Sequence, residues 1–213
     1  NVLEENVGRV WVVVQSDRAH FYPTNQLMYL RLIADRTSRR VLGIQAVGGQ
    51  GDAVKARVDA VAAAMHSRAS VADIACLEVA YAPPFASAMD IVNNAANALE
   101  NILNGFNDPI DATEFLHRLE HGEGRVLDVR GTKESQPFVD RFGEHWLNIP
   151  QAELGARIKE INPDEPLMLL CDTGPRSYEA QLVLRANNIT KTKNLQGGFG
   201  MIKASAPDFV PRT

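Results

Sequence analysis

The chain has 213 residues, of which 45% are apolar and 23% charged, with a formal net charge of -4. That length is enough for one large or two small domains. The mild negative balance excludes a global basic field toward nucleic acid or anionic lipid, and the longest apolar runs, Val10 to Val14 and Pro166 to Cys171, are far too short to span a bilayer.

The chain starts at Asn1 and not at Met, so a piece of a longer protein is expected. No cationic leader precedes an apolar stretch, so no signal peptide is expected. Val10 to Gln15 is β-branched and predicts a buried strand. Between Gln26 and Asp35, Leu27, Tyr29, Arg31 and Ile33 interleave with Met28, Leu30 and Leu32, which predicts a strand apolar on both faces. Thr37 to Arg40 is a turn, and Val41 to Val47 closes an antiparallel hairpin. The period then changes: Val54, Val58, Val61, Ala62 and Met65 stand at helical spacing between Gly51 and Ser67. Gly48-Gly49-Gln50-Gly51 fails the dinucleotide-binding pattern and reads as a tight turn into that helix. Ser70 caps a short helix through Cys76, with Asp73 completing an approximate capping box. Cys76 stands near Ile74 and Leu77, without a base or cation, and is expected in the core. Tyr81-Ala82-Pro83-Pro84-Phe85 must be extended. Ser87 to Asn104 predicts a helix rich in small residues, with Ile91, Ala95, Ala98, Leu99 and Ile102 along one side and Gly105 as its stop.

Asn107-Asp108-Pro109 reads as a linker, dividing the chain into residues 1–106 and 107–213. The first part is α+β, an antiparallel sheet plus helices. The second alternates: a helix capped by Asp111 through Leu119, a strand at Arg125 to Val129, and a helix at Glu134 to Arg141. There follow a short strand at His145 to Asn148, a helix at Pro150 to Glu160, an apolar strand at Leu167 to Leu170, a helix at Gly174 to Ala186 and an edge strand at Lys193 to Leu195. That order predicts an α/β domain, a parallel sheet covered by helices on both faces. Two cysteines make no disulfide framework, so reduced thiols and a cytoplasmic location are expected. The five histidines are scattered, and no metal site is expected.

Cys171 follows the most apolar strand and precedes a helix, across a short loop holding Gly174. In parallel sheets the ligand site lies beyond the carboxyl ends of the strands. Backbone N–H groups between Cys171 and Arg176, with the positive end of the next helix, are expected to stabilise a thiolate or a persulfide there. Arg176 adds a fixed positive charge that can hold the loop or an anionic donor. The plain alternative is an inert buried cysteine at a strand end.

The segment Cys171-Asp172-Thr173-Gly174-Pro175-Arg176-Ser177 resembles the active-site loop of the rhodanese family, Cys-x-x-Gly-x-Arg-Ser. Asp128-Val129-Arg130, Asn148-Ile149-Pro150 and Leu195-Gln196-Gly197-Gly198 are similar to further family segments, in the family's order, over about residues 108 to 203. The resemblance implies that Cys171 accepts and passes on a sulfane sulfur, with Arg176 and the loop amides stabilising it and Asp128 and Arg130 bracing the site; a plain surface ion pair is the alternative for these two. Two positions depart from the family: Ile202 stands where Trp is frequent, and Asp172 where thiosulfate-using members tend to carry a basic residue. An acidic neighbour repels a dianion, so poor use of thiosulfate and a persulfide or polysulfide donor are expected.

Val41 to Gly48, Lys55 to Asp59 and Leu77 to Phe85 resemble the dimerisation domain of pyridine nucleotide-disulfide oxidoreductases, and within them the coenzyme A-disulfide and NADH-dependent persulfide or polysulfide reductases. That resemblance implies a homodimer through residues 1–106, and FAD, NAD(P)H and coenzyme A as groups of the full-length protein, none of them bound tightly by this chain itself. It also implies that Tyr81, and Tyr22 in His20-Phe21-Tyr22-Pro23, face the partner subunit's substrate site; ordinary packing is the plain alternative. The leading reading is a sulfurtransferase domain attached to a reductase. The alternative is a non-catalytic docking or sensing module on the same fold. A third is a unit that mainly dimerises.

Overall fold

The computed structural model describes the backbone of residues 7–210 and the side chains of residues 12–210. The chain forms two compact units, Asn1–Phe106 and Asn107–Thr213. Among the described residues no helix is long and apolar enough to cross a membrane.

In the first unit, β-branched and aliphatic runs build strands β1 (Val7–Ser16), β2 (Leu27–Asp35) and β3 (Val41–Gly48), paired antiparallel in that order. The β2–β3 turn is set by Asp35, whose carboxylate accepts from the Thr37 and Ser38 amides and the Ser38 hydroxyl. Helices α1 (Gly51–His66), α2 (Val71–Ala75) and α3 (Ile91–Leu103) follow. The expectation of two apolar faces on β2 is corrected. Met28, Leu30, Leu32 and Ala34 are buried in a core with Val61, Ile74, Ile91, Ala95 and Leu99, whereas Leu27 is 47% exposed. α3 packs into this core, although Ala96 and not Ala98 is fully buried.

Four local readings change. Residues 83–85 form a turn and are not extended, the Phe85 amide donating to the Ala82 carbonyl at 2.9 Å. The helix expected from Ser87 begins at Ile91, because Asp90 caps it by accepting from the Val92 amide. Cys76 is exposed and not in the core. It is the C-cap of a five-residue helix whose buried positions are Val71 and Ile74, and two residues past Ile74 the chain points outward. On α1, Ala62 is exposed, while Arg57 is buried. Arg57 Nη2 and Nε donate to the Asp90 carboxylate at 2.7 and 3.1 Å, and Nη2 also reaches the carbonyls of Asp17 and Phe85. Arg57 thereby ties α1 to the segment that follows β1 and to the segment that precedes α3.

In the second unit five strands pair in parallel, in the order β4-β8-β7-β5-β6: β4 (Pro109–Ile110), β5 (Arg125–Asp128), β6 (Trp146–Asn148), β7 (Leu167–Leu170) and β8 (Thr192–Leu195). Helices α4 (Ala112–Glu120), α5 (Thr132–Phe142), α6 (Pro175–Ala186) and α7 (Gly198–Ser205) cover them. Side-chain alternation gives each sheet face its own core. Val126, Met168 and Leu170 pack with Phe115, Phe138 and Trp146 on one face. Leu127, Leu167, Leu169 and Cys171 pack with Ile149, Ala180 and Leu184 on the other.

Here too the structure corrects the reading. Pro109 belongs to a strand and not a linker; as first residue of β4 it needs no amide for the ladder. β8 is therefore interior and not an edge. Residues 150–160 form no continuous helix. Two short turns, Gln151–Glu153 and Ile158–Glu160, flank Gly155, whose backbone freedom favours the break. α7 has no counterpart in the sequence reading.

Candidate active site

Every residue of β7 is buried, and β7 lies between β5 and β8. The chain leaves its carboxyl end at Cys171 and enters α6 at Pro175 through Gly174, whose φ of +112° lies in the region open to glycine. Cys171 is 1% exposed. Its Sγ accepts from the Gly174 amide at 3.1 Å, and the Ser177 hydroxyl lies 3.3 Å away. That hydroxyl is also 3.0 Å from the Gly174 carbonyl. It carries one hydrogen, so it can point to either acceptor. The sulfur thus faces two neutral donors at the positive end of a twelve-residue helix.

Arg176 holds the loop, one of the two roles expected of it. Its guanidinium pairs with Asp172, the two side chains being 42% and 43% exposed. The charge at the rim is spent within the loop. Thr173 is half-buried beside them.

A second layer holds the loop from behind. Gly197 and Gly198 both have positive φ, 69° and 56°. They turn the start of α7 so that the Phe199 and Gly200 amides donate to the carbonyls of Cys171 and Asp172, each at 2.8 Å. A Cβ on Gly198 would stand 2.5 Å from the Cys171 oxygen and 2.7 Å from the Thr173 nitrogen. With their carbonyls held by α7, the loop residues keep one backbone orientation, in which the Gly174 amide meets the sulfur.

Asp128 and Arg130 form a buried pair and not a surface one, 0% and 3% exposed in their side chains. The Arg130 amide, Nε and Nη2 all donate to the Asp128 carboxylate, which also accepts from Trp146 Nε1 at 3.2 Å. Asp128 pairs across the ladder with Leu170, and the Val129 amide donates to the Leu170 carbonyl at 2.9 Å. The Arg130 guanidinium lies 4.1 Å from the centre of the Phe199 ring, a cation–π contact in a desolvated setting. Phe199 in turn holds the Cys171 carbonyl. Asn148 closes the layer, its amide donating to the carbonyls of Asp128 and Arg130. Ile202, at the position of the family's frequent Trp, is fully buried.

The sequence reading quoted Gly198 only as part of a family segment, without a role in the site, and missed Phe199 and Trp146. Adjacent glycines one residue beyond the end of β8 were the available signal, since each admits positive φ.

In the first unit, Tyr81 is 52% exposed and Tyr22 half-buried. The loops carrying them are tied by the Ala19 amide to the Pro83 carbonyl at 3.1 Å and by the Ser87 hydroxyl to the Arg18 carbonyl. Phe21, Phe85 and Met89 stand on the same loops, 66%, 71% and 56% exposed.

These two units define the class. Residues 6–92 match the pyridine nucleotide-disulphide oxidoreductase dimerisation domain, and residues 111–205 the rhodanese-like domain. The chain therefore joins a dimerisation domain of the first family to a rhodanese-like domain. The coenzyme A disulfide reductase of Staphylococcus aureus is 37% identical over 93 residues, covering 44% of this chain and 21% of that protein. The CoADR-RHD of Bacillus anthracis in its reduced form is 32% identical with a TM-score of 0.83, over 97% of this chain and 36% of that one. A NAD-dependent persulfide reductase from A. fulgidus is 32% identical with a TM-score of 0.77, over 91% of this chain and 34% of that one. The chain spans about a fifth of the curated relative's length and about a third of each of these structures.

Proposed function

We propose that Cys171 carries sulfane sulfur as a persulfide. Its thiolate attacks the outer sulfur of a donor R–S–SH. The Sγ–S bond forms, the donor's S–S bond breaks, and the bonding pair leaves as the thiolate R–S⁻. A second nucleophile then takes the outer sulfur and restores the Cys171 thiolate. The observation that carries this reading is the convergence of the Gly174 amide and the Ser177 hydroxyl on one sulfur at a helix N-terminus. A cysteine that merely fills a core needs no such partners. Treating the chain with an alkyl persulfide and measuring its intact mass tests it. A gain of one sulfur atom is expected, and none in Cys171→Ser; no gain in the unaltered chain overturns the reading.

The burial of Cys171 favours a second reading, a rhodanese fold used for docking or sensing without turnover. The rate of Cys171 alkylation near neutral pH separates the two. A thiol that resists both alkylation and sulfur loading supports the second.

We further propose that this transfer serves a FAD- and NAD(P)H-dependent reductase acting on coenzyme A-linked persulfides, disulfides or polysulfides in the cytoplasm; two similar proteins are named coenzyme A disulfide reductase and NAD-dependent persulfide reductase. Residues 1–106 would then pair with a second copy. The exposed Phe21, Phe85 and Met89 suit a covered surface. Tyr22 and Tyr81, on the same loops, would face the partner's substrate site, where a bound flavin would supply the hydride relay.

A further inference from the structure

We infer that Gln181 is a positioning residue for the sulfur site, holding α6 in place by binding both β8 and the backbone at which the chain enters the second unit. The inference rests on the persulfide chemistry proposed for Cys171. Gln181 stands one helical turn after Ser177, on the same face of α6, and both are fully buried. Its carboxamide oxygen accepts from the Asp108 amide at 3.1 Å. Its nitrogen lies 3.1 Å from the Thr192 carbonyl, 3.2 Å from the Thr192 hydroxyl and 3.3 Å from the Asp108 carbonyl. Two hydrogens serve these three acceptors. The second unit starts at Asn107, so Asp108 lies at its entry, just ahead of β4, and Thr192 begins β8.

The other buried side chains of α6 behind Ser177, Ala180 and Leu184, meet the core through apolar contact. Such contact has no preferred direction and tolerates sliding. The N-cap, Gly174, has no side chain with which to hold the helix end. Hydrogen bonds fix distance and angle, so the carboxamide of Gln181 sets where α6 lies along β8. The Gly174 amide and the Ser177 hydroxyl, 3.1 and 3.3 Å from the Cys171 sulfur, move with that helix. A shift of α6 would therefore withdraw both donors from the sulfur at once.

The test is a double-mutant cycle in the chain carrying Cys76→Ser, which leaves Cys171 as its one thiol. Loading of Cys171 from an alkyl persulfide is followed by intact mass, and its alkylation by iodoacetamide is timed alongside. Gln181→Met keeps the bulk of the side chain without its amide, and should slow loading about tenfold, as a small displacement of a reacting group does. The slowing caused by Ser177→Ala should then be smaller, by at least about threefold, in the Gln181→Met chain than in the reference, because residues that act through one another are not additive. Gln181→Glu keeps an acceptor for the Asp108 amide and should load faster than Gln181→Met; it takes the place of Met in the cycle if urea denaturation shows that variant unfolded. Unchanged loading in Gln181→Met, or losses that simply multiply, overturn the positioning role and leave Cys171 standing as the sulfur carrier. Coupled alkylation rates without sulfur uptake in any of the proteins overturn the persulfide reading and leave Gln181 in its role.

Discussion

Gly198 touches the backbone of the cysteine loop so closely that its missing side chain is a structural element: a Cβ there would lie 2.5 Å from the carbonyl oxygen of Cys171. Cys171 and Gly198 are 27 residues apart, yet the amide that follows Gly198 binds the carbonyl of Cys171 at 2.8 Å. The loop's shape is thus set by α7 as much as by the loop itself.

Gly198→Ala should therefore damage the site more than the fold. The new methyl must push back rigid backbone, and φ of +56° costs an L-residue about 1–2 kcal/mol. We expect persulfide loading of Cys171 to fall at least about tenfold, as misplacing a reacting group by a fraction of a residue does. Loading rates and urea denaturation on the same sample check this. Normal loading would show that α7 does not set the loop.

Ser177→Ala removes a hydroxyl 3.3 Å from the sulfur. Losing one hydrogen bond to a charged group costs about 1.5–3 kcal/mol. Persulfide loading should slow by roughly one to two orders of magnitude on that basis, while Ser177→Thr should retain more activity than Ala. Equal rates in Ser177→Ala and the unaltered chain would remove the hydroxyl from the chemistry.

Arg130→Met leaves the Asp128 carboxylate buried with the Trp146 indole N–H and one backbone amide as donors. Breaking one side of a buried pair costs about 3–5 kcal/mol. The double variant Arg130→Met with Asp128→Leu should recover part of that loss, because no uncompensated charge remains. Denaturant midpoints of the three proteins decide the matter.

In the first unit, Arg57→Ala should cost a similar amount, about 3–5 kcal/mol, since Asp90 is 2% exposed and would lose its guanidinium. The carbonyls of Asp17 and Phe85 lose a donor at the same time. Amide exchange should quicken across residues 81–90, the segment carrying Tyr81. Unaltered exchange there would mean that the pair does not hold the loop.

The Ser70–Asp73 capping box gives a pH prediction. The Ser70 amide, and then its hydroxyl, donate to the Asp73 carboxylate and hold its pKa below the ordinary aspartate value of 3.8. A lowered carboxylate pKa contributes stability above the unfolded value and loses it as pH falls through the folded one. The Tm difference between the unaltered chain and Asp73→Asn should be constant near neutrality and close below the usual aspartate range. A difference that widens on acidification would contradict the capping assignment.

Local signals carried much of the architecture. The switch from alternation to helical spacing after Gly48, the Ser70–Asp73 box and the apolar run before Cys171 are properties of a few neighbouring residues, and their elements are present in the structure. The loop itself was legible because strand, cysteine, glycine and helix are contiguous. Where the reading failed, a distant partner decided. Cys76 was misplaced because burial depends on which way a short helix points after its last core residue. Pro109 became a strand only because β8 offers it a ladder. The break near Gly155 turns on how Leu154 and Ile161 reach the core, both being buried.

By itself the order of residues determined the two-unit plan, the antiparallel and parallel sheets, and the sulfur's position at a strand end. Periodicity and turn chemistry act over a handful of residues and survive in any context. Only the tertiary structure decided that Arg130 leans on Phe199 and that Gly198 backs the loop. Those are contacts of direction and distance. They exist once the sheet brings the carboxyl ends of β5, β7 and β8 side by side.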